Sequence, residues 1–380
     1  MRPVNTITWR KNSAGIYFHF PWCHLKCDYC DFYSLATAAA QPAKLAAAWR
    51  REMELRRKSF PKNTVFNTIH FGGGTPSIMP PEYIKSTIDS CRDIFNIPEN
   101  SEITLEANPE DLSSEFIEAI HNAGINRLSV GVQSLQEKHL KTLGRYYNSE
   151  KYAFLAEVKN GPIGNFSFDL IHGIPGQTKE EFFADINTLI SYGAGHLSLY
   201  SLTMEQGTPY YSKNQSGKAP SPDEELQTEI LQELPAHMKK SGFNQYEVSN
   251  YCLPRHKSNH NMKYWTMEYY AGIGPGAHGF TPQGRYNNKR SVNEYLERKF
   301  SETFEPSDYF SELAMTLFRI FYPIDIDSFL QPVPEKREKL WELLHKYSEK
   351  NLSTIDDGIF RWKAEAVLHL DALILEIAGI

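Results

Sequence analysis

Three of the chain's five cysteines, Cys23, Cys27 and Cys30, fall within eight residues directly after a short run, Gly15 to Phe20, that reads as a strand. With this spacing a single turn can present all three sulfurs to one face, each thiolate taking one iron of a cubic 4Fe-4S cluster. The fourth iron then has no protein ligand. An iron with an open position takes a small chelating molecule, and S-adenosylmethionine offers it an amino and a carboxylate group. Two other readings stand beside this one. A zinc site wants a fourth Cys or His, and His24 lies inside the loop. A disulfide framework wants an even cysteine count and an oxidising compartment.

The 380 residues are enough for one large domain and a small one. With 41% hydrophobic and 23% charged residues, the composition is that of an ordinary soluble globular protein. No apolar run approaches the ~20 residues of a membrane helix, and the first residues lack the apolar stretch of a secretory signal. A cytoplasmic location is therefore expected, where cysteines stay reduced unless metal-bound. Cys91 and Cys252 read as buried small apolar residues. The net charge of −6 argues against nucleic acid as a partner. Residues 301–380 sharpen this, with eight Lys and Arg against fifteen Asp and Glu, a balance of −7.

Along the chain, Pro42 opens a helical pattern with Leu45, Trp49 and Met53 on one stripe. A strand over Thr68–Phe71 runs into GGGTPS, Gly72–Ser77, where consecutive glycines let backbone approach a ligand. A plain tight turn is the alternative. A helix from Pro81 carries Ile84, Ile88, Cys91 and Phe95 at core spacing. The next strand ends at Glu106, and the helix after it has a serine cap and Gly124 as its stop. Strand Arg127–Val130 leads to Gly131 and Gln133. Arg145 follows, then strands ending at Asp169 and near Tyr200, and NQYEVSNY reads as a seventh strand. Such alternation calls for a parallel sheet with helical crossovers.

The polar candidates all fall at or past strand C-terminal ends, which form one face in a barrel of this kind. The count fits an α/β fold, a partial (β/α)6 TIM-like barrel open on one side. Gly272–Gly279, GIGPGAHG, reads as a second close-approach loop. From Pro306 come helical patterns at 308–321 and 335–350, a hairpin around Asp357-Gly358 and a last helix. These suggest a small α+β winged-helix-like C-terminal domain, expected as a lid over the open barrel. The expected division is residues 1–250 for the barrel, 251–305 for a connecting segment and 306–380 for the cap.

The string Tyr17-x-His19-x-Pro21-x-Cys23, continued by Cys27-Asp28-Tyr29-Cys30-Asp31-Phe32, resembles the radical S-adenosylmethionine superfamily. Within it the string is similar to the oxygen-independent coproporphyrinogen III oxidases and their haem-chaperone branch, the HemW-type proteins. The resemblance implies that Cys23, Cys27 and Cys30 ligate a 4Fe-4S cluster, and that Tyr17, Tyr29, Gly73, Gly74 and Thr75 line S-adenosylmethionine. Chemistry then suggests Glu106 for the cofactor's amino group, Gln133 and Arg145 for its carboxylate or ribose, and Asp169 for the ribose hydroxyls. For each singly, a structural ion pair or cap is the alternative.

Two departures from the oxidases point to the chaperone branch: Phe32 stands where they carry a fourth cysteine, and only 22 residues precede Cys23. HNMKYW, His260 to Trp265, matches the HNxxYW motif of the haem chaperones. His260 would supply an axial imidazole to haem iron, and Tyr264 and Trp265 flat apolar faces. A loop histidine bonded to backbone is the alternative. Tyr147 stands where a histidine is usual, and the C-terminal tail lacks the family's usual turn. The expected function is to bind haem and pass it to an acceptor protein, with a transiently met membrane-associated protein among the expected acceptors. The enzyme alternative is oxidative decarboxylation of coproporphyrinogen III through a 5′-deoxyadenosyl radical, with flavodoxin or ferredoxin as reductant. A third is a zinc-stabilised structural module.

Overall fold

Alternation of side chains along each strand sets the architecture. In β1 (Ser13–Phe20), Ala14, Ile16, Phe18 and Phe20 point one way and are fully buried, while Gly15, Tyr17 and His19 point the other. The computed structural model describes residues 3, 5–10, 12–37, 39–145, 152–297, 299–306 and 308–380. Tyr147 lies outside them.

Five more strands follow in register: β2 (Val65–Gly73), β3 (Glu102–Ala107), β4 (Arg127–Gln133), β5 (Phe166–His172) and β6 (His196–Ser201). Each pairs in parallel with its predecessor. The crossovers are helical, as parallel pairing demands. Helix α1 (Pro42–Arg56) buries the expected stripe of Leu45, Trp49 and Met53, and α2 (Pro81–Ile94) buries Ile84, Ile88 and Cys91. Each such side chain contributes roughly 1.5–3 kcal/mol. Helix α3 (Ser114–Ala123) starts where the Ser113 side chain accepts from the Phe116 N–H and stops at Gly124 in the left-handed region. Helix α4 (Lys179–Ser191) opens on a capping box of Thr178 and Glu181. This is a partial (β/α)6 barrel, open on one side.

Three expectations need correction. NQYEVSNY forms no seventh parallel strand: Asn250–Cys252 pairs antiparallel with β6, and Asn244–Gln245 pairs antiparallel with it in turn. Glu247 sits in the turn between them, accepting from the Ser249 N–H, so the segment reverses direction. The strand parallel to β1 on its other edge is β7 (Tyr269–Ile273), which contains the start of GIGPGAHG. From it the sheet continues antiparallel through β8 (His278–Thr281), β9 (Gly284–Asn288) and β10 (Glu302–Phe304). The glycines of that motif serve close packing. A Cβ at Gly272 would overlap the His278 carbonyl oxygen, and one at Gly279 the Tyr286 ring. Among the described residues the sheet has twelve strands.

The third correction concerns the C-terminal domain. Helices Tyr309–Leu317, Arg337–Glu349 and Leu370–Ala378 with the sheet of Ile324–Asp325, Ser353–Asp356 and Ile359–Trp362 form the expected winged-helix-like unit. Its core is shared with Ile7, Tyr246, Cys252, Met262 and Met267. Ile7 precedes β1, and Cys252 pairs with His196, the first residue of β6. The domain therefore packs at the N-terminal ends of the strands, opposite the expected lid position. Among the described residues no helix is long and apolar enough to cross a membrane.

A buried polar knot ties α1 to the antiparallel extension. The Glu52 carboxylate, 1% exposed, accepts from Arg56 Nε (3.0 Å), Asn288 Nδ2 (2.8 Å), the Gly274 N–H (2.9 Å) and the Tyr295 hydroxyl (2.5 Å). Arg56 also donates to Asn288 Oδ1 at 2.7 Å, pairs with Glu302, and lies 3.9 Å from the Tyr286 ring centroid. Removing one partner of a buried charge pair costs more than the pair is worth, because the other charge stays buried. Glu52→Gln is expected to lower stability by about 2–4 kcal/mol, read as a fall in the thermal midpoint. An unchanged midpoint would show that the knot is not structural.

Candidate functional site

The cysteine loop leaves β1 and is held from two sides. On one side the Gly74 N–H donates to Phe20 O at 2.7 Å and the Thr75 N–H to Trp22 O at 2.8 Å. A Cβ at Gly74 would overlap the Trp22 carbonyl and come within 3.0 Å of Cys23 Sγ. Gly73 beside it has a φ of +112°, which a glycine adopts without strain. On the other side the Asp28 N–H donates to Leu143 O, the Tyr210 N–H donates to Asp28 O, and Lys213 pairs with the Asp28 carboxylate at 2.5 Å. Cys23 is buried, and Cys27 and Cys30 are half-buried. Burial pushes the Cys27 thiol up and the Cys30 thiol up to about 11, so a metal must displace bound protons.

Among the described residues no three His, Cys, Asp or Glu side chains are grouped as ligands of a single metal ion. His24 turns toward Asp111, 3.6 Å away, and is 59% exposed. Cys91 and Cys252 are buried as expected.

Around the loop, the C-terminal ends of the strands bring together most of the other candidates. Glu106 on β3, 41% exposed, faces β2: its carboxylate accepts from His70 Nε2 at 2.8 Å and from the Gly73 N–H at 3.3 Å. Tyr17 stacks on His70 with ring centroids 6.0 Å apart and donates to His19 Nδ1 at 3.1 Å. His19 Nε2 in turn donates to Tyr33 O at 2.7 Å, and burial lowers its pKa. Burial also pushes the Tyr17 hydroxyl well up.

Arg145 is 6% exposed and donates to Asn108 Oδ1 at 2.8 Å. Desolvation works against its charge, but Tyr29, Cys27 and Glu110 outweigh it and hold the guanidinium protonated. Gln133 has a φ of +65° at a bulge against β5. There its amide and the Arg145 guanidinium converge over Gly131, where a Cβ would come within 3.0 Å and 3.4 Å of them. Burial pushes the Asp169 carboxyl up to about 6; Ser198 bonds it, and its Oδ1 has no protein partner. Tyr200 sits at the rim, 40% exposed.

His260, Tyr264 and Trp265 lie elsewhere. They belong to a short helix, α5 (Asn259–Trp265), and His260 is fully buried. Its Nδ1 is 2.8 Å from Thr68 Oγ1 and its Nε2 is 2.9 Å from the Tyr264 hydroxyl. The expectation of an imidazole and two flat faces presented to haem meets a buried imidazole on a helix whose Tyr264 and Trp265 are half-buried. Three residues outside the expected set, His19, His70 and Asn108, join the site by contacting Tyr17, Glu106 and Arg145. The signal was there, since His19 and His70 alternate with buried apolar residues and so share the lumen face with Tyr17.

Residues 17–189 match the radical SAM superfamily. The heme chaperone HemW of Buchnera aphidicola subsp. Acyrthosiphon pisum is 36% identical over 82% of this chain and 84% of its own. The bovine radical S-adenosyl methionine domain-containing protein 1, mitochondrial, is 35% identical over 80% of this chain and 67% of its own. Coproporphyrinogen III oxidase (HemN) from Escherichia coli shares the fold, with a TM-score of 0.78 and 18% identity over 97% of this chain and 90% of that one. This chain, with its cysteine loop seated on a glycine turn at the mouth of a partial barrel, belongs to the HemW-type family of the radical S-adenosylmethionine superfamily.

Proposed function

We propose that this protein binds haem and passes it to an acceptor protein, and that Cys23, Cys27 and Cys30 hold a 4Fe-4S cluster beside S-adenosylmethionine at the barrel mouth. The superfamily implies both cofactors, and the haem reading rests on what the similar chaperones are named for. The observation that carries the site is the seating of the cysteine loop on Gly74, which leaves Cys23 Sγ beside a backbone with no side chain in the way.

The residues present fit the implied group. When bound, the cluster supplies an iron with an open position for the amino and carboxylate groups of S-adenosylmethionine, and a site that can take up an electron. In this reading Glu106 accepts from the amino group, and Arg145, hydrogen-bonded to Asn108, offers its positive charge to the carboxylate. The unpartnered Asp169 Oδ1 is an acceptor suited to a ribose hydroxyl. Gly73 and Gly74 let the cofactor lie against the backbone. In this reading Tyr17, stacked on His70, and Tyr29, packed against Leu143, Ile171 and Tyr210, stand beside the cofactor.

For haem we propose an apolar seat at the rim, made by exposed side chains of the cysteine loop and the short strand after it: Leu25 is 56% exposed, Phe32 64% and Leu35 42%, and Lys26 bonded to Phe32 O folds the loop back on itself. A flat porphyrin covers such side chains favourably.

Gly74→Ala should disturb only the loop, and is expected to weaken cluster retention against an iron chelator about tenfold while the circular dichroism spectrum stays that of the parent. Retention equal to the parent would remove the glycine seat from the account. In an anaerobic absorbance titration of the cluster-loaded protein, haem should saturate near one per chain. Phe32→Ser should weaken that binding about tenfold, roughly 1.4 kcal/mol. A protein that binds no haem would refute the chaperone reading and direct attention to decarboxylation of coproporphyrinogen III. Parental affinity in Phe32→Ser would refute the seat alone.

A further inference from the structure

The HNMKYW segment has so far no place at the mouth, yet its contacts are among the most exacting in the molecule. The Glu102 carboxylate, at the start of β3, accepts from the Asn259 N–H (3.0 Å), Asn259 Nδ2 (3.1 Å) and the His260 N–H (2.9 Å). Lys263 donates to Ser13 Oγ at the start of β1 and to Glu268, each at 2.8 Å. Helix α5 thus lies across the N-terminal ends of the strands and closes the floor of the barrel. It lies so close that a Cβ at Gly15 would come within 2.7 Å of Thr68 Oγ1 and 3.1 Å of the His260 ring.

Burial, with His70 and Lys263 nearby, holds His260 well below the usual histidine range, so the ring is neutral. A neutral imidazole has one donor and one acceptor, and Thr68 and Tyr264 use both. No nitrogen is left for iron. What the ring does offer is a face. It stacks on His70 with centroids 4.9 Å apart and planes 23° apart. His70 Nδ1 has no protein partner, so the plane of that ring is set by Glu106, Tyr17 and His260. Glu106 then accepts from the Gly73 N–H. A continuous series of contacts runs from α5 through His260, His70 and Glu106 to the glycine turn.

We infer that His260 is a positioning residue for the S-adenosylmethionine site and not a haem ligand: it fixes the His70 ring, which orients the Glu106 carboxylate at the mouth. The inference rests on the proposed placement of S-adenosylmethionine there, but not on the haem seat.

The test uses the reduced, cluster-loaded protein. The change in the cluster's electron paramagnetic resonance spectrum is followed as S-adenosylmethionine is added, beside a haem absorbance titration of the same samples. In His260→Ala the concentration giving half the spectral change should rise about tenfold, while the position of the haem band and the haem affinity stay parental. His260→Gln, which keeps a donor and an acceptor, should recover part of the response. Tyr264→Phe frees His260 Nε2 and should weaken the response to S-adenosylmethionine without altering the haem band. A shifted or lost haem band in His260→Ala with a parental response to S-adenosylmethionine overturns the inference, as does a parental response in all three variants. Should His260→Ala fail to fold, the same two readouts on His260→Gln and Tyr264→Phe decide. A parent protein whose spectrum ignores S-adenosylmethionine refutes the placement itself and takes the inference with it, whereas a missing haem band in the parent refutes only the haem reading.

Discussion

Two backbone hydrogen bonds, from the Gly74 N–H to Phe20 O and from the Thr75 N–H to Trp22 O, join the end of β2 to the exit of β1. The three cysteines begin at the next residue. Because β1 and β2 run parallel and in register from Gly15–Thr68 to Phe20–Gly73, this seam holds the sulfurs at the same height as Glu106 and its hydrogen bond to Gly73. A side chain at Gly74 would force the two loops apart. The site therefore depends on a place where an atom must be absent, and that place is set by sheet register.

The lumen of this barrel is built differently from its outer face. Closed (β/α)8 barrels fill their interior with branched apolar side chains. Here the inward positions include Tyr17, His70, Thr104, Ser167 and Asp169, while the outward ones are Phe, Ile, Leu and Val packed under helices. Three lumen atoms, His70 Nδ1, Thr104 Oγ1 and Asp169 Oδ1, are buried without a protein partner. Buried polar atoms as a rule have a partner, in the protein or in water, and one left without a protein partner calls for water or a ligand. A polar lumen open at the top and floored by α5 suits a polar cofactor lying deep and a flat ligand at the rim. Stability is carried elsewhere, by the outer apolar shell and by knots such as Glu52 with Arg56 and Asn288.

Much of this was legible from residue patterns. The stripes of α1 and α2, the serine cap and Gly124 stop of α3, and the placing of Glu106, Gln133 and Asp169 at strand ends all rest on local periodicity, which a single chain displays. What escaped was decided by tertiary contact. GIGPGAHG carries a glycine signal equally suited to a loop and to a strand pressed against its neighbours, and only the His278 carbonyl over Gly272 distinguishes them. NQYEVSNY has strand propensity, but the turn at Glu247 reverses its direction. HNMKYW is too short to show a helical period. Its polar residues suggest exposure, whereas Glu102, 158 residues before His260, and Glu268 supply partners to the His260 N–H and to Lys263 and so let them be buried. The domain after 306 has a wing and helices in its pattern, but nothing local tells which end of the barrel it covers.

The central claim is that three thiolates on the seated loop hold a cluster with one iron free to bind S-adenosylmethionine. Mössbauer spectra of protein reconstituted with iron-57, recorded with and without S-adenosylmethionine, test it directly. The account predicts about four irons per chain in a cubic cluster, with one iron in four changing its spectrum when the cofactor is added. A colourless protein holding one zinc, or a cluster whose four irons all ignore the cofactor, would contradict it.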